Sequence, residues 1–236
     1  MAGRISIRLG RALVLMSTAI LCLMIGTWTG VPSGSKAFGG DKLTIAGSST
    51  VKPIVEAAAP AFKKAHPGLQ IAIGGGGSSN GVKNAASGNV DIGMASRKLK
   101  DKEKAAFPDL VAVPIGQDGV AVIANKSNPV EGLTKSQVLD LYTGKTANWQ
   151  SLGGNDAPVK LIGILLKHGT SSVFMKYFGL EAEEKGEGTA KTIDYWKADG
   201  AKEMTASAKG VDGNQPACAA VITDTDAIAF ASIGFA

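Results

Sequence analysis

Residues 43–68 read LTIAGSSTVKPIVEAAAPAFKKAHPG, a stretch that asks for a strand, a tight turn and a helix in immediate succession. Leu43, Thr44, Ile45 and Ala46 suit a buried strand running into the turn Gly47-Ser48-Ser49-Thr50. A helix should follow, with Pro53 in its first turn, where a missing N–H costs little. Ile54, Val55, Ala58 and Phe62 give that helix one apolar face. Pro60 predicts a kink or an early end, and His66-Pro67-Gly68 is a stop.

The pattern then repeats outward. Residues 69–73 predict a second strand feeding GGGGSSNG at 74–81, followed by a short helix through Val82 and Ala86. Residues 90–95 predict a third strand ending at Ser96-Arg97. This alternation points to an α/β architecture with largely parallel strands. In such sheets ligands sit outside the carboxyl ends of the strands, where these Ser/Thr turns fall. Residues 111–124 are apolar with a break at 116–119. They predict two strands, or one long bent strand with a hinge or crossover between lobes at the break.

Further along, Thr134 can cap a helix through Val138, Leu141 and Tyr142, with Gly144 as its stop. Residues 159–166 are a strongly apolar strand ending at His168-Gly169-Thr170-Ser171-Ser172. Phe174 and Phe178 share one face of the helix after it. The polar residues 181–200 suggest no definite element, while 219–223 and 227–231 read as closing strands. There is no internal repeat.

The first residues read as a leader. Arg4, Arg8 and Arg11 form a basic region, and 12–25 is an apolar run too short for a comfortable membrane span. Ser35-Lys36-Ala37 offers small residues at the −3 and −1 positions of a cleavage site, so residues 1–37 read as a signal peptide cut after Ala37. The alternative is an uncleaved anchor. The whole chain carries +5, from 25 Lys+Arg and 20 Asp+Glu. Four of those cations lie in residues 1–37 with no acid, leaving 21 against 20. The basic balance is a leader effect, and no aromatic-studded basic stripe accompanies it, which argues against nucleic acid. Cleavage would leave Cys218 as the sole cysteine and preclude an intramolecular disulfide.

Chemistry-bearing residues are few. GGGGSSNG lacks the Gly-Lys-Ser/Thr of a nucleotide loop and alone could be a flexible turn. His66 and His168 have no metal-ligand spacing, so neither a metal nor a cofactor is expected. A Ser171/His168 nucleophile pair lacks a visible orienting acid. Arg97 is a surface or ion-pairing residue on general grounds, although its place after a strand end turns it toward an anion. Tyr142 and Trp149 read as packing residues. What remains is a set of turns at helix N-termini, whose unpaired N–H groups and hydroxyls suit an oxyanion bound without transformation.

Together with GGGGSSNGVKNAASGNVDIGMASR and LTKSQVLDLYTGKTANWQSLGG, the opening stretch resembles the phosphate-binding proteins of bacterial phosphate ABC transporters. The three strings run through most of residues 43–154 in that family's order. The resemblance implies a type II periplasmic binding protein, its two α/β lobes built on mixed, mostly parallel sheets flanked by helices. Lobe 1 would begin with 38–117 and lobe 2 would span 118–236. It implies inorganic phosphate as ligand, a permease in the inner membrane as partner, a monomer without enzymatic activity, and a periplasmic or secreted location.

By position, the resemblance makes Ser49, Thr50, Ser78, Ser96, Arg97, His168, Gly169 and Thr170 phosphate ligands, with Ser79 as helper. Some members carry an Asp, which accepts from a protonated phosphate, where this chain has Ser96. The family's Arg before the fourth turn is Ile164 here, and a Ser is His168; Lys167, His168 or Arg97 would have to supply the charge. AIAFASIGFA resembles the last strand before a return to the first lobe that 236 residues do not complete, so the chain reads as truncated or degenerate. The alternatives are a secreted phosphatase on this scaffold and a degenerate anion-sensing or surface interaction protein.

Overall fold

A computed structural model describes residues 2–8, 42–199 and 205–236, the first of these segments by its backbone. Two mixed sheets organise them. The first contains β1 (Ala2–Arg8), β2 (Lys42–Gly47), β3 (Gln70–Gly76), β4 (Ile92–Ala95) and β5 (Leu110–Gln117) in the order β3-β2-β4-β1-β5. The second contains β6 (Val120–Ala124), β7 (Lys160–Ile164), β8 (Leu180–Lys185), β9 (Thr192–Lys197), β10 (Ala206–Val211) and β11 (Ala227–Ser232) in the order β6-β11-β7-β10-β9-β8.

Parallel pairing is confined to β3-β2-β4 in one sheet and β11-β7-β10 in the other. The remaining pairs are antiparallel, so the largely parallel expectation holds for one side of the first sheet and the centre of the second. The apolar stretch at 111–124 is two strands in different sheets, separated by Asp118-Gly119.

Six α-helices accompany the described strands: α1 (Lys52–Ala65), α2 (Ser78–Ala86), α3 (Asp101–Ala106), α4 (Lys135–Tyr142), α5 (Gly169–Phe178) and α6 (Asn214–Thr223). Thr134 caps α4 in a reciprocal capping box with Gln137. Three sequence expectations need correction. α1 runs through Pro60 to Ala65 rather than ending early. Residues 219–223 are the end of α6, not a strand. The polar stretch from 181 holds two strands, β8 and β9, whose charged outer faces hid the alternation of buried Ile193 and Tyr195.

Packing is uneven between the sheets. The second has one large core in which Phe174 stacks on Phe230 with centroids 3.9 Å apart, and Tyr142 meets Tyr195 edge-on at 5.3 Å. Trp149 is buried there too, its indole N–H donating to the Asp226 carbonyl. The first sheet has two small clusters, around Ile45, Val51, Val55 and Met94 and around Val82, Ala95 and Leu99. Ile54 and Phe62 on α1, and Val111, Val113 and Ile115 on β5, are exposed.

β1 comes from the segment read as a leader. It lies antiparallel to both β4 and β5, with Ile5 opposite Met94 on one side and Val113 on the other. It lies between β4 and the edge strand β5 of the first sheet. Residues 9–37 and the cleavage site at Ala37 lie outside the described residues. Among the described residues no helix is long and apolar enough to cross a membrane.

Candidate anion-binding cleft

The carboxyl ends of β2, β4 and β7 face one another across the gap between the sheets, and each passes into one of the turns singled out above. The first turn is possible because Gly47 adopts φ +138°; a Cβ there would strike the Met94 carbonyl. Ser48, fully buried, turns its Oγ back to accept from the Thr50 and Val51 N–H groups. That leaves Ser49 and Thr50 facing the gap. The Gly77 N–H donates to the Gly47 carbonyl at 2.9 Å, which sets the second turn against the first. Helices α2, α5 and α6 all begin without a side-chain cap, at Gly77, His168 and Gly213. Their first N–H groups therefore have no capping side chain.

Two clusters form where these turns meet. In one, Ser78 Oγ lies 3.2 Å from Ser96 Oγ and accepts from the Ser96 N–H at 3.0 Å. Gly169 is seated on both: a Cβ there would come within 2.5 Å of each hydroxyl. In the other, Ser49 Oγ is 3.2 Å from His168 Nδ1, and Thr50 Oγ1 is 3.4 Å from Thr170 Oγ1. Asn214 closes this second cluster. Its Nδ2 donates to Thr50 Oγ1 at 2.9 Å, and its Oδ1 accepts from Thr170 Oγ1 and the Ser232 N–H. The Ser79 N–H donates to the Lys167 carbonyl, adding a backbone link between the sheets.

The charged groups are arranged differently from the sequence expectation. Arg97 is buried, but both Nη atoms donate to the Glu103 carboxylate at 2.7 Å. Nη2 also reaches Ser79 Oγ at 3.2 Å, which keeps Arg97 beside the Ser78 cluster. Its Nε is a buried donor with no partner among the described residues. Burial works to raise Glu103, yet the hydrogen bonds from Arg97 and the Lys100 N–H hold its carboxyl below the ordinary value. Lys167 Nζ pairs with Asp212 at 2.9 Å. Ile164, where the resemblance would place an Arg, is wholly buried in β7 and supplies only its carbonyl, to Ser171 Oγ. Ser171 is thereby turned away from His168.

His168 instead has an orienting acid that the linear sequence did not reveal. Its Nε2 is 2.6 Å from Asp212 Oδ1. Burial pushes the imidazole below its ordinary value, and Asp212 pulls the other way. Burial also works to raise Asp212, but donation from Lys167 and His168 keeps its carboxyl below the usual range. Asp212 and Asn214 flank Gly213, which precedes α6 at φ +113°. A further glycine-led helix start was therefore readable at 212–214, but the apolar run AAVIT at 219–223 disguised the helix. Among the described residues no group of His, Cys, Asp and Glu could hold a metal ion.

Two α/β units presenting helix N-termini to a shared cleft define a two-lobed α/β architecture. The chain belongs to the PBP superfamily, whose domain matches residues 32–236. It is 32% identical over 186 residues to the phosphate-binding protein PstS of Bacillus subtilis (strain 168), covering 75% of this chain and 62% of that protein. It is 41% identical over 111 residues to phosphate-binding protein PstS 2 of Streptococcus agalactiae serotype V, covering 47% and 37%. The chain thus spans less than two thirds of the length of these curated relatives.

Among solved structures, one described as a phosphate ABC transporter substrate-binding protein with bound phosphate, from Clostridium perfringens, superposes with a TM-score of 0.70 at 38% identity. It covers 83% of this chain and 72% of that one. An ABC-type phosphate transport receptor from Vibrio cholerae gives 0.55 at 28% identity, covering 83% and 73%.

Proposed function

We propose that this chain binds inorganic phosphate in the cleft between its two sheets and serves as the extracytoplasmic substrate-binding component of an ABC uptake system. The observation that carries this is the convergence of uncapped helix starts from both sheets. Ser49 and Thr50, Ser78 and Ser96, and Gly169 and Thr170 come together on hydroxyls and backbone N–H groups. Such an array suits a tetrahedral oxyanion. The bound phosphate in the C. perfringens neighbour supports the same reading. Arg97 lies buried beside Ser79, its charge largely met by Glu103, so affinity rests on neutral donors and helix ends.

The protein acts by binding and lobe movement rather than by turnover, as a monomer that presents its ligand to a membrane permease. Export would depend on residues 1–37, with cleavage after Ala37. That cleavage would remove β1 and leave the facing edges of β4 and β5 without their shared partner. Calorimetric titration of the purified protein with phosphate, sulfate and arsenate tests the ligand: saturable phosphate binding is expected, and sulfate binding without phosphate binding would overturn it. A chromogenic phosphoester should not turn over. Mass spectrometry of the exported protein should find Phe38 at the N-terminus.

A further inference from the structure

We propose that His168 sets the hydrogen-bond polarity of Ser49, and through it the kind of oxyanion the cleft accepts. With a neutral imidazole, Ser49 presents an oxygen lone pair, which suits a protonated oxyanion such as hydrogen phosphate. With an imidazolium, Ser49 presents its hydroxyl hydrogen, which suits a fully ionised oxyanion such as sulfate. This rests on the phosphate-binding reading of the same cleft.

The chain of contacts Asp212–His168–Ser49 carries the argument. Asp212, an ionised carboxylate, only accepts, so the hydrogen between it and Nε2 at 2.6 Å belongs to the imidazole. In the neutral ring, Nδ1 is then an acceptor and nothing else. Ser49 Oγ, 3.2 Å away, has one hydrogen and donates it there. What it can offer a ligand is a lone pair. Protonation of Nδ1 reverses the bond: Nδ1–H donates to Ser49 Oγ, and the hydroxyl hydrogen is released toward the cleft. His168 is 4% exposed, so bulk water does not stand in for either partner. His168 is thus a positioning residue that acts through Ser49.

The charged groups around the ring are each paired. Asp212 is shared with Lys167. Glu184, on β8, is tied to the Leu166 N–H and to Lys191. From α1, Lys52 pairs with Glu56, and both line a cavity of ≈ 340 Å³ with His168 and Asp212.

Sulfate is the informative probe because it carries no proton in that range, whereas phosphate always carries at least one. Titration of the purified full chain with each anion at about pH 8 and about pH 5 reads the effect. Sulfate affinity should rise by roughly tenfold or more at the lower pH, as a repulsive lone pair becomes a donor. The phosphate-to-sulfate ratio should fall accordingly.

His168→Gln, which keeps a polar side chain but cannot titrate, should show no sulfate slope. Ser49→Ala should lose the slope while leaving His168 in place, and serves if the glutamine variant fails to fold. A pH-independent sulfate affinity in the unmodified protein, or an equal slope in both variants, would overturn the inference. A sulfate slope without phosphate binding would overturn the phosphate reading and leave the polarity relay standing; binding of neither anion would overturn both.

Discussion

Arg97 and Glu103 show how much a single residue's partner decides. The pair is bidentate and nearly dry, with side chains 4% and 13% exposed. Glu103→Ala would leave a buried guanidinium alone and should cost roughly 3–5 kcal/mol, measured by urea unfolding. Loss of under about 1 kcal/mol would mean that water already solvates the pair. Because the folded Glu103 carboxyl is held below its ordinary 4.5, its contribution is present above that pH and is lost as pH falls through the lowered value. The acid limb of stability should therefore flatten in the alanine variant. Gly47→Ala places a Cβ against the Met94 carbonyl at a positive φ and should cost more than about 1 kcal/mol, read as a lowered Tm. At this scale the sequence was informative wherever a residue sits beside its own turn, as Ser49, Ser78 and Gly169 do. Asp212 was not legible as the partner of His168, because 44 residues and a β-sheet crossing separate them.

At the scale of elements, glycine-led turns and apolar strands were readable, and the failures have physical causes. Local content favoured a strand at 219–223, where Ala, Val, Ile and Thr crowd together. The helix prevails because Gly213 opens it, and Ala217 and Val221, four apart, bury one face while Ile222 stays 75% exposed. In β9 the buried set Ile193 and Tyr195 alternates with residues facing out, and Lys185 of β8 bridges to Asp194 across the pair at 2.6 Å. Pro60 lies in the middle of α1 on an exposed turn. It removes one ladder hydrogen bond without stopping the helix, so Pro60→Ala should raise unfolding free energy by roughly 1–3 kcal/mol in the same urea experiment. A loss would mean that its ring packs in a way the exposed position does not suggest.

Across the whole molecule, the two sheets are held together by side chains that also form the cleft. Ser49 with His168, Thr50 with Thr170, and Asn214 with Thr50 all span the gap. Opening the cleft must break them together, which couples ligand access to lobe movement. Asn214 is the buried hub, bonded to Thr50, Thr170 and the Ser232 N–H. Asn214→Ala should weaken phosphate binding by roughly tenfold and enlarge the ligand-free radius of gyration measured by small-angle scattering. An unchanged radius with unchanged affinity would show that the backbone link from Ser79 to Lys167 suffices.

The seat of β1 also has a consequence in time. Residues 2–8 precede their partners in the chain, which on β4 and β5 begin at Ile92 and extend to Gln117. Until β4 has followed at Ile92–Ala95, the opening segment lacks both of the strands it pairs with here. If residues 1–37 act as the leader proposed above, export machinery would have that interval in which to read them. Afterwards it is held on both sides by a ladder. The place between β4 and β5 is thus a clock: whichever process reaches residues 2–8 before β5 is complete decides what becomes of them.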